Sequence, residues 1–214
     1  MNVQKTLKNL EANLMKAYYV EKKEDVIPLI DSLIPEHSTV AVGGSMTLFE
    51  TGVIDHLRCG QYQFLDRYEK NLSREQVVEL YRQSFLADVY CTSTNALTEQ
   101  GELYNVDGNG NRISALQHGP KSVIVIAGVN KIVPDLDAAI RRVKTVAAPK
   151  NCVRLGCDTY CSKAGRCVSL NLDNPQMTDG CSSKDRICCQ YSILSQQRHQ
   201  DRIKVILVGE KLGF

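Results

Sequence analysis

The strongest constraint on the fold is an uninterrupted apolar, β-branched run at residues 123–127 of this 214-residue chain. A strand without polar positions must be covered on both faces, as happens in the centre of a parallel sheet. Thr39–Val42 reads as a second buried strand, and a turn at residues 43–45 separates it from helical spacing at residues 46–57. Strand, glycine-containing turn and helix in that order predict an α/β unit.

The remaining chain continues this alternation of helix and strand. Residues 2–20 carry apolar side chains at steps of three and four, which predicts one N-terminal helix. We therefore expect one three-layer α/β/α domain over residues 1–214, with a mostly parallel sheet and a long excursion at residues 152–189. The other predicted elements are helices at residues 23–33, from Ser73 onward and at 134–147, and strands at residues 62–65, 88–94, 191–194 and 203–208.

Charge and hydropathy narrow the class of protein. The formal net charge is +2 and 43% of the residues are hydrophobic, which favours a globular protein without nucleic acid as a partner. No apolar run reaches the roughly 18 residues of a membrane-spanning helix, so we expect no membrane insertion. Residues 1–21 are charged and lack the apolar core of a signal peptide, so we expect a cytoplasmic protein with reduced thiols.

The turn after the first buried strand is a candidate ligand-binding element. Gly43 and Gly44 would let a ligand approach the backbone, and Ser45 can cap the following helix and donate to a phosphate or carboxylate. A plain tight turn is an equally good interpretation of these three residues.

A polar segment at residues 94–101 follows the predicted strand at residues 88–94. Because ligands of open α/β sheets bind at the carboxyl ends of the strands, we expect Asn95, Thr98 and Glu99 to line one cleft with the glycine turn. Glu99 is the candidate catalytic base or nucleophile. The alternative is a solvated loop glutamate.

The alternating Asx and Gly residues at 105–111 predict a tight turn, because both residue types accept positive φ. The spacing lacks the downstream glutamate of a calcium-binding loop. Arg112, directly after this turn, is a candidate for holding a carboxylate with two parallel hydrogen bonds.

Seven of the nine cysteines lie in residues 152–189, where few apolar side chains are available for burial. Disulfides, a zinc ion or an iron–sulfur cluster could order such a segment, and free structural thiols are a further alternative. Structural zinc usually uses short knuckles in pairs, and the three-residue gap between Cys157 and Cys161 has no matching second knuckle. Soft thiolates at irregular spacing suit an iron–sulfur cluster at least as well.

Several motifs resemble, in the same order, those of the LUD (lactate-utilisation, LutC/YkgG-like) domain family, from the first helix to residue 214. They are Gly43-Gly44-Ser45 with Thr47-Leu48, and residues 94–99, 105–112, 128–133 and 208–214. The resemblance implies a fold akin to the NagB/RpiA/CoA-transferase group. It also implies a link to bacterial oxidation of L-lactate to pyruvate beside iron–sulfur partner subunits. In the CoA-transferase relatives a catalytic glutamate precedes a short glycine turn, and Glu99-Gln100-Gly101 is similar to it.

A cysteine-bearing subgroup of this family resembles the segment at residues 152–189. The resemblance implies Cys161, Cys167, Cys181 and Cys188 as ligands of one metal group, with an iron–sulfur (4Fe–4S) cluster expected first and zinc as the alternative. The chain departs from the subgroup's pattern at residues 168–180, which replace a much shorter gap. A surface insertion of this kind costs little loop-closure entropy.

The expected function is that of a subunit or accessory protein in an iron–sulfur-dependent system that oxidises L-lactate or a related 2-hydroxy acid. The expected partners are a small carboxylate or phosphorylated ligand, iron–sulfur subunits and, as a homo-oligomer, further copies of the chain. Two alternatives stay open. One is a stand-alone enzyme of the CoA-transferase or isomerase type that uses Glu99, and the other is a non-catalytic ligand-binding protein with structural zinc.

Overall fold

The computed structural model describes residues 2–214, and its centre is a six-stranded sheet in which all neighbouring strands are parallel. The apolar run at residues 123–127 lies in a central strand of this sheet, which confirms the prediction. The strands, in order across the sheet, are β1 (Lys16–Val20), β10 (Ile203–Val208), β7 (Ser122–Gly128), β4 (Val89–Thr92), β2 (Thr39–Val42) and β3 (Gln63–Leu65).

Helices lie on both faces of this sheet, as the mostly parallel α/β architecture requires. The predicted helix at residues 46–57 is divided in two at Gly52, which has a φ of +73°. The helix that Ser73 opens is confirmed, with a capping box between Ser73 and Gln76. The helices are α1 (Val3–Ala12), α2 (Val26–Leu33), α3 (Met46–Glu50), α4 (Val53–Leu57), α5 (Arg74–Gln83), α6 (Asn111–Gln117), α7 (Leu136–Arg142), α8 (Ala148–Leu155) and α9 (Tyr160–Ala164).

Alternate side chains of β7 enter two different hydrophobic cores. Val123 and Val125 pack with residues of α1 and α6 on one face of the sheet, while Ile124 and Ile126 pack with residues of α2, α3 and α4 on the other. Successive side chains of a strand point to opposite faces, so a fully apolar strand supplies both cores at once. This burial explains why the central strand carries no polar residue.

A second, four-stranded mixed sheet packs against the hydrophobic core that contains Val123 and Val125. Its strands, in order, are β8 (Ile132–Val133), β5 (Ala96–Thr98), β6 (Leu103–Asp107) and β9 (Gln190–Leu194). Leu97 and Leu103 face the core of the large sheet, whereas Ala96 and Tyr104 pack against Ala139 of α7. The large sheet is therefore followed by a second sheet and then by α7.

The N-terminal helix predicted over residues 2–20 is wrong in its second half. The helix ends at Ala12, Leu14 turns the chain with a φ of +59°, and residues from Lys16 onward form β1. Apolar residues at these steps also fit a strand. The backbone pairing of β1 with β10 outweighs the local helical periodicity.

The second sheet also corrects the interpretation of residues 94–112 as loop and turn. Residues 96–98 form β5, residues 103–107 form β6, and α6 begins at Asn111 directly after the glycine-rich turn. Of the predicted turn, only residues 108–110 connect regular elements. Within residues 2–214 no helix combines the length and the hydropathy that crossing a membrane requires.

We expect Gly43→Ala to destabilise the protein, because an added Cβ would lie 2.6 Å from Thr92 Oγ1 and 2.8 Å from the Tyr90 hydroxyl. Overpacking of this kind should lower the free energy of unfolding by about 1–3 kcal/mol, as measured by urea denaturation. Gly44→Ala is the matched control, because its nearest neighbour would be Arg67 Nη1 at 3.7 Å. It should change the same free energy by less than about 0.5 kcal/mol, and equal effects of the two substitutions would contradict this packing.

Candidate functional site

A cavity of about 250 Å³ opens at the carboxyl edge of the six-stranded sheet. Parallel α/β sheets bind ligands at this edge because the loops that follow the strands converge there. The β6–α6 turn, α8, a π-helical segment at Val143–Ala147 and the end of the cysteine-rich segment complete the wall. The residues that follow the sheet strands into the cavity are Gly44 and Ser45 after β2, Arg67 after β3, Ser93 and Asn95 after β4, Lys131 after β7, and Phe214 after β10.

The cavity is lined by four basic side chains and one carboxylate. The basic residues are Arg67, Arg112, Lys131 and Arg154, and the carboxylate is Asp107. In the described part of the chain, none of the four cations forms a salt bridge. The Asp107 carboxylate accepts instead from two backbone N–H groups at the start of α6. The cavity therefore has an excess of positive charge that an anion would compensate.

Lys131 is the most buried of these cations, with 3% of its surface exposed. Its Nζ donates to Thr47 Oγ1 at 3.0 Å and to Ser93 Oγ at 2.9 Å. Burial, reinforced by the positive charges of Arg142 and Arg112, lowers the pKa of Lys131 to about 7. At neutral pH the Lys131 amine therefore exists in both its protonated and its unprotonated form.

Arg112 is committed to the protein's own oxygens. Its Nη1 donates to Ser93 O and Asn105 Oδ1, and its Nη2 donates to Asn95 Oδ1 and Val106 O, at 2.6–3.2 Å. These bonds use the four N–H groups that bidentate binding of a carboxylate would draw on. Arg112 therefore contributes its positive charge to the cavity and fixes the wall residues to which it donates. The geometry does not favour the predicted two-bond contact with a ligand.

Arg67 has hydrogen-bonding capacity left for a ligand. Its guanidinium lies over the rings of Tyr68 and Tyr81, with its Cζ 5.3 and 4.4 Å from the two ring centroids. Its Nη2 donates to the Tyr81 hydroxyl, while its buried Nε has no hydrogen-bond partner among the described residues. Its Nη1 also donates no hydrogen bond among the described residues, so Arg67, which lines the cavity, can donate to a bound acceptor.

The predicted ligand-binding residues are partly brought together. Gly44, Ser45, Asn95 and Arg112 all line the cavity. Gly43 lies behind the wall, where its missing side chain leaves room for Arg112, because a Cβ there would lie 3.0 Å from Arg112 Cγ. Ser45 caps α3, as predicted, by accepting from the Leu48 N–H.

Glu99 lies at the N-terminal helix, and neither Glu99 nor Thr98 is among the residues that line the cavity. The Glu99 carboxylate accepts from the Asn2 N–H at 2.9 Å and from Lys5 Nζ at 3.2 Å. The bond from Lys5 holds the pKa of Glu99 below its ordinary value. Thr98 Oγ1 bonds with the Glu102 side chain. The catalytic role of Glu99 stays a prediction to which this geometry adds no support.

All four cysteines of the predicted metal site line one second, smaller cavity of about 20 Å³. They reach it from α9, from the residue before a short 3₁₀ helix at Val168–Asn171, and from irregular chain further on. The remaining wall is largely apolar. The cysteines are Cys161, Cys167, Cys181 and Cys188, and their neighbours include Tyr104, Val143, Ala148, Val168, Met177 and Tyr191.

Two basic side chains fasten the segment around this second cavity. Lys144 Nζ donates to Ser169 Oγ at 2.9 Å and to Gln176 O at 2.6 Å. Arg186 donates to backbone carbonyls of three residues, Thr178, Cys181 and Cys188. Hydrogen bonds from side chains to backbone thus order a segment that has little apolar material of its own.

The donor set fits a thiolate-ligated group by its chemistry, because four soft sulfur ligands share one largely apolar space. Burial raises the pKa of Cys161 to about 11 and raises that of Cys188 as well, so both are protonated thiols at neutral pH until a cation compensates them. Within residues 2–214, no three His, Cys, Asp or Glu side chains are arranged to hold a metal ion. Binding would therefore require the thiols to move inward.

The two cavities share part of one wall. Val143, Ala148 and Cys188 line both of them. Val143 is the first residue of the π-helical segment and Ala148 directly follows it; such a segment is a local widening of the helix that often marks functional sites. Whatever occupies the thiol-lined cavity is therefore separated from the basic cavity by single side chains.

Of the four cations that line the basic cavity, sequence patterns predict Arg112 as a site residue but not the other three. Lys131 lies within the motif at residues 128–133, and its position just after the end of β7 was the available signal. Arg67 similarly comes shortly after β3. Arg154 lies on α8, and nothing in the sequence indicates that this helix face meets the end of the sheet.

The comparisons with known proteins agree with the architecture. The LUD domain model matches residues 3–208 of the chain. No curated protein matches it. The crystal structure at 1.70 Å resolution of a DUF162 family protein from Deinococcus radiodurans is similar, with a TM-score of 0.51 and 16% identity over 98% of this chain and 99% of that one. At this identity the likeness concerns the fold alone.

Two further solved structures align with about half of the chain at 14% identity. One is eIF2B beta from Chaetomium thermophilum, with a TM-score of 0.37 over 53% of this chain and 43% of that one. The other is ribose 5-phosphate isomerase from Plasmodium falciparum, with a TM-score of 0.32 over 52% of each chain. Scores this low carry no argument about fold or function.

We expect the buried amine of Lys131 to make stability depend on pH. Its pKa of about 7 in the folded protein lies below its ordinary value of 10.5, so between these pH values the unfolded chain binds more protons than the folded one. Stability contributed by Lys131 therefore rises with pH in this window. Relative to Lys131→Met, the free energy of unfolding of the wild type should increase by roughly 2 kcal/mol between about pH 7 and pH 9. A difference that stays constant in urea titrations would contradict a depressed pKa.

Proposed function

The chain belongs to the LUD (lactate-utilisation) domain family, and we propose that its basic cavity binds a small carboxylate of the 2-hydroxy-acid or 2-oxo-acid type. In this proposal the protein is a cytoplasmic component of a system that oxidises L-lactate or a related 2-hydroxy acid. The observation that carries it is the group of cations without salt-bridge partners around the cavity at the carboxyl edge of the sheet.

Electrostatics supports an anionic ligand over a neutral one. Lys131 and Arg112 are both at least nine-tenths buried, and Asp107 is the only carboxylate side chain among the described residues that line the cavity. Opposite unit charges at about 4 Å attract by about 4 kcal/mol near a protein surface, so an anion in the cavity would offset part of the burial cost. A small carboxylate matches both this charge and the planar guanidinium of Arg67, which lines the cavity.

The chemistry of lactate oxidation supports a role within a larger system. Converting a 2-hydroxy acid to a 2-oxo acid removes two electrons and two protons. The side chains that line the basic cavity are not electron acceptors. The proposal therefore assigns electron acceptance to a redox group, which iron–sulfur partner subunits would supply. A copy of the same chain is a further candidate partner.

The four cysteines carry a second part of the proposal. Cys161, Cys167, Cys181 and Cys188 would hold a metal group, with an iron–sulfur cluster as the first candidate and structural zinc as the alternative. The support is that all four line one cavity, although they come from different parts of residues 160–189. Such a group would supply electron transfer if it is a cluster, or only cross-linking of the segment if it is zinc.

The alternative of a stand-alone transferase or isomerase rests on Glu99. That carboxylate bonds with residues of the N-terminal helix instead of lining the basic cavity. We therefore prefer the ligand-binding role.

We expect the wild-type protein to bind L-lactate, pyruvate or inorganic phosphate in calorimetric titrations at fixed ionic strength. Lys131→Met and Arg67→Ala should each raise the Kd about tenfold or more, which corresponds to at least about 1.4 kcal/mol. Lys121→Met removes an equal charge from an exposed side chain and serves as the control that keeps the Kd unchanged. If all three variants bind like the wild type, the cavity is not the anion site. Preferential binding of phosphate would shift the ligand class from carboxylates to phosphorylated compounds.

We expect protein purified without oxygen to contain iron with sulfide, or zinc, at one group per chain. Cys161→Ser and Cys188→Ser should each abolish it, because loss of one thiolate leaves an incomplete ligand set. Cys59→Ser is the control, since that thiol is exposed and lies outside the cysteine-rich segment. Elemental analysis and labile-sulfide assays measure the content. Protein that remains metal-free after anaerobic reconstitution would refute this part of the proposal.

A further inference from the structure

We propose that Lys131 is a nucleophile that forms a Schiff base with the carbonyl carbon of a small 2-oxo acid held in the basic cavity. This inference rests on the proposed function, because it concerns the same cavity, and it goes beyond that function by assigning a covalent step. Its starting point is the unusual environment of the Lys131 amine.

A buried lysine in most proteins is paired with a carboxylate, which keeps it protonated and unreactive. Lys131 is 3% exposed and forms no salt bridge within residues 2–214. The nearby charges that act on it most are those of Arg142 and Arg112, which are positive. Burial beside other cations is the environment that activates lysines for attack on carbonyl compounds.

The hydrogen bonds of Lys131 suit a neutral amine. Its Nζ donates to two hydroxyl oxygens, Thr47 Oγ1 and Ser93 Oγ. Two donated bonds account for both hydrogens of a neutral amine and leave its lone pair for an electrophile. The pKa of about 7 agrees, because it leaves about half of the amine unprotonated at neutral pH.

The two hydroxyls also provide a route for protons. The Ser93 hydroxyl lines the cavity and lies 3.5 Å from the Thr47 hydroxyl, so a proton can pass between the two hydroxyls, and Ser93 can exchange it with the bound ligand. In the reaction, the amine lone pair forms a carbon–nitrogen bond while the carbonyl π pair moves to oxygen, and the oxygen takes up one of the two protons of the attacking nitrogen. The resulting neutral carbinolamine then loses its hydroxyl, together with the remaining nitrogen-bound proton, as water. The products are one imine and one water, and no oxidant or reductant is required.

The chemistry of the wall selects the substrate class. The amine requires a carbonyl carbon, and the surrounding cations require an acid. A 2-oxo acid carries both groups on adjacent carbons, and a cavity of about 250 Å³ accommodates a small one. Arg67, whose guanidinium lines the cavity and forms no salt bridge among the described residues, is the candidate partner for the carboxylate.

The test is reductive trapping with pyruvate. Protein is incubated with pyruvate and sodium borohydride, digested, and analysed by mass spectrometry. We expect the peptide that contains Lys131 to gain the mass of pyruvic acid less one oxygen atom, at least about tenfold more than the peptide that contains exposed Lys121. L-Lactate, which has no carbonyl carbon of this type, should give no adduct. Butanone, a neutral ketone of similar size, should give much less adduct than pyruvate.

Labelling of Lys131 no greater than that of Lys121 would overturn the inference, and this comparison uses the wild-type protein, so it does not depend on any variant folding. Lys131→Arg, which keeps the charge, should lose the adduct while Lys121→Arg keeps the adduct at Lys131. If pyruvate and L-lactate bind in calorimetry but no adduct forms at Lys131, the Schiff base is refuted and the proposed anion site stands. If neither ligand binds and no adduct forms, both proposals fail.

Discussion

The buried guanidinium of Arg112 is the interaction on which the rest of the site depends. It extends from α6 and bonds to Ser93 O at the end of β4, to Asn95 Oδ1 just beyond it, and to Asn105 Oδ1 and Val106 O of β6. One side chain thereby joins the six-stranded sheet to the second sheet. Hydrogen bonds to a charged donor contribute about 1.5–3 kcal/mol each, and losing the donor would leave several buried acceptors without a partner.

The position of Arg112 also explains the charge of the neighbouring cavity. Burial lowers the pKa of the Lys131 amine, and the positive charges of Arg142 and Arg112 lower it further. Several cations around the basic cavity therefore repel one another in the folded protein. A ligand with the opposite charge would offset this unfavourable electrostatic energy. The thiol-lined cavity follows the same principle, because burial raises the pKa of Cys161 and Cys188, which therefore stay protonated until a cation reaches them. Cys188 lines both the basic cavity and the thiol-lined cavity and so lies between the two candidate sites.

The sequence predicts the parts of this structure that local patterns determine. β7 is recognisable because a strand between two cores must be apolar throughout, and α5 because Ser73 and Gln76 form a capping box. β1 is not recognisable, since its residues fit helix and strand alike and only pairing with the distant β10 decides between them. The basic cavity shows the same limit. A lysine after a strand reads as a solvated cation, and its burial depends on contacts with residues far away in sequence.

A crystal structure of the protein with bound pyruvate would test the central claim most directly, which is that the ligand site is the basic cavity at the carboxyl edge of the sheet. The account predicts density for the ligand between Arg67 and Lys131, with carboxylate oxygens about 2.7–3.2 Å from a guanidinium or ammonium nitrogen. Ligand density beside Glu99 and the N-terminal helix, with no ligand in the basic cavity, would contradict it.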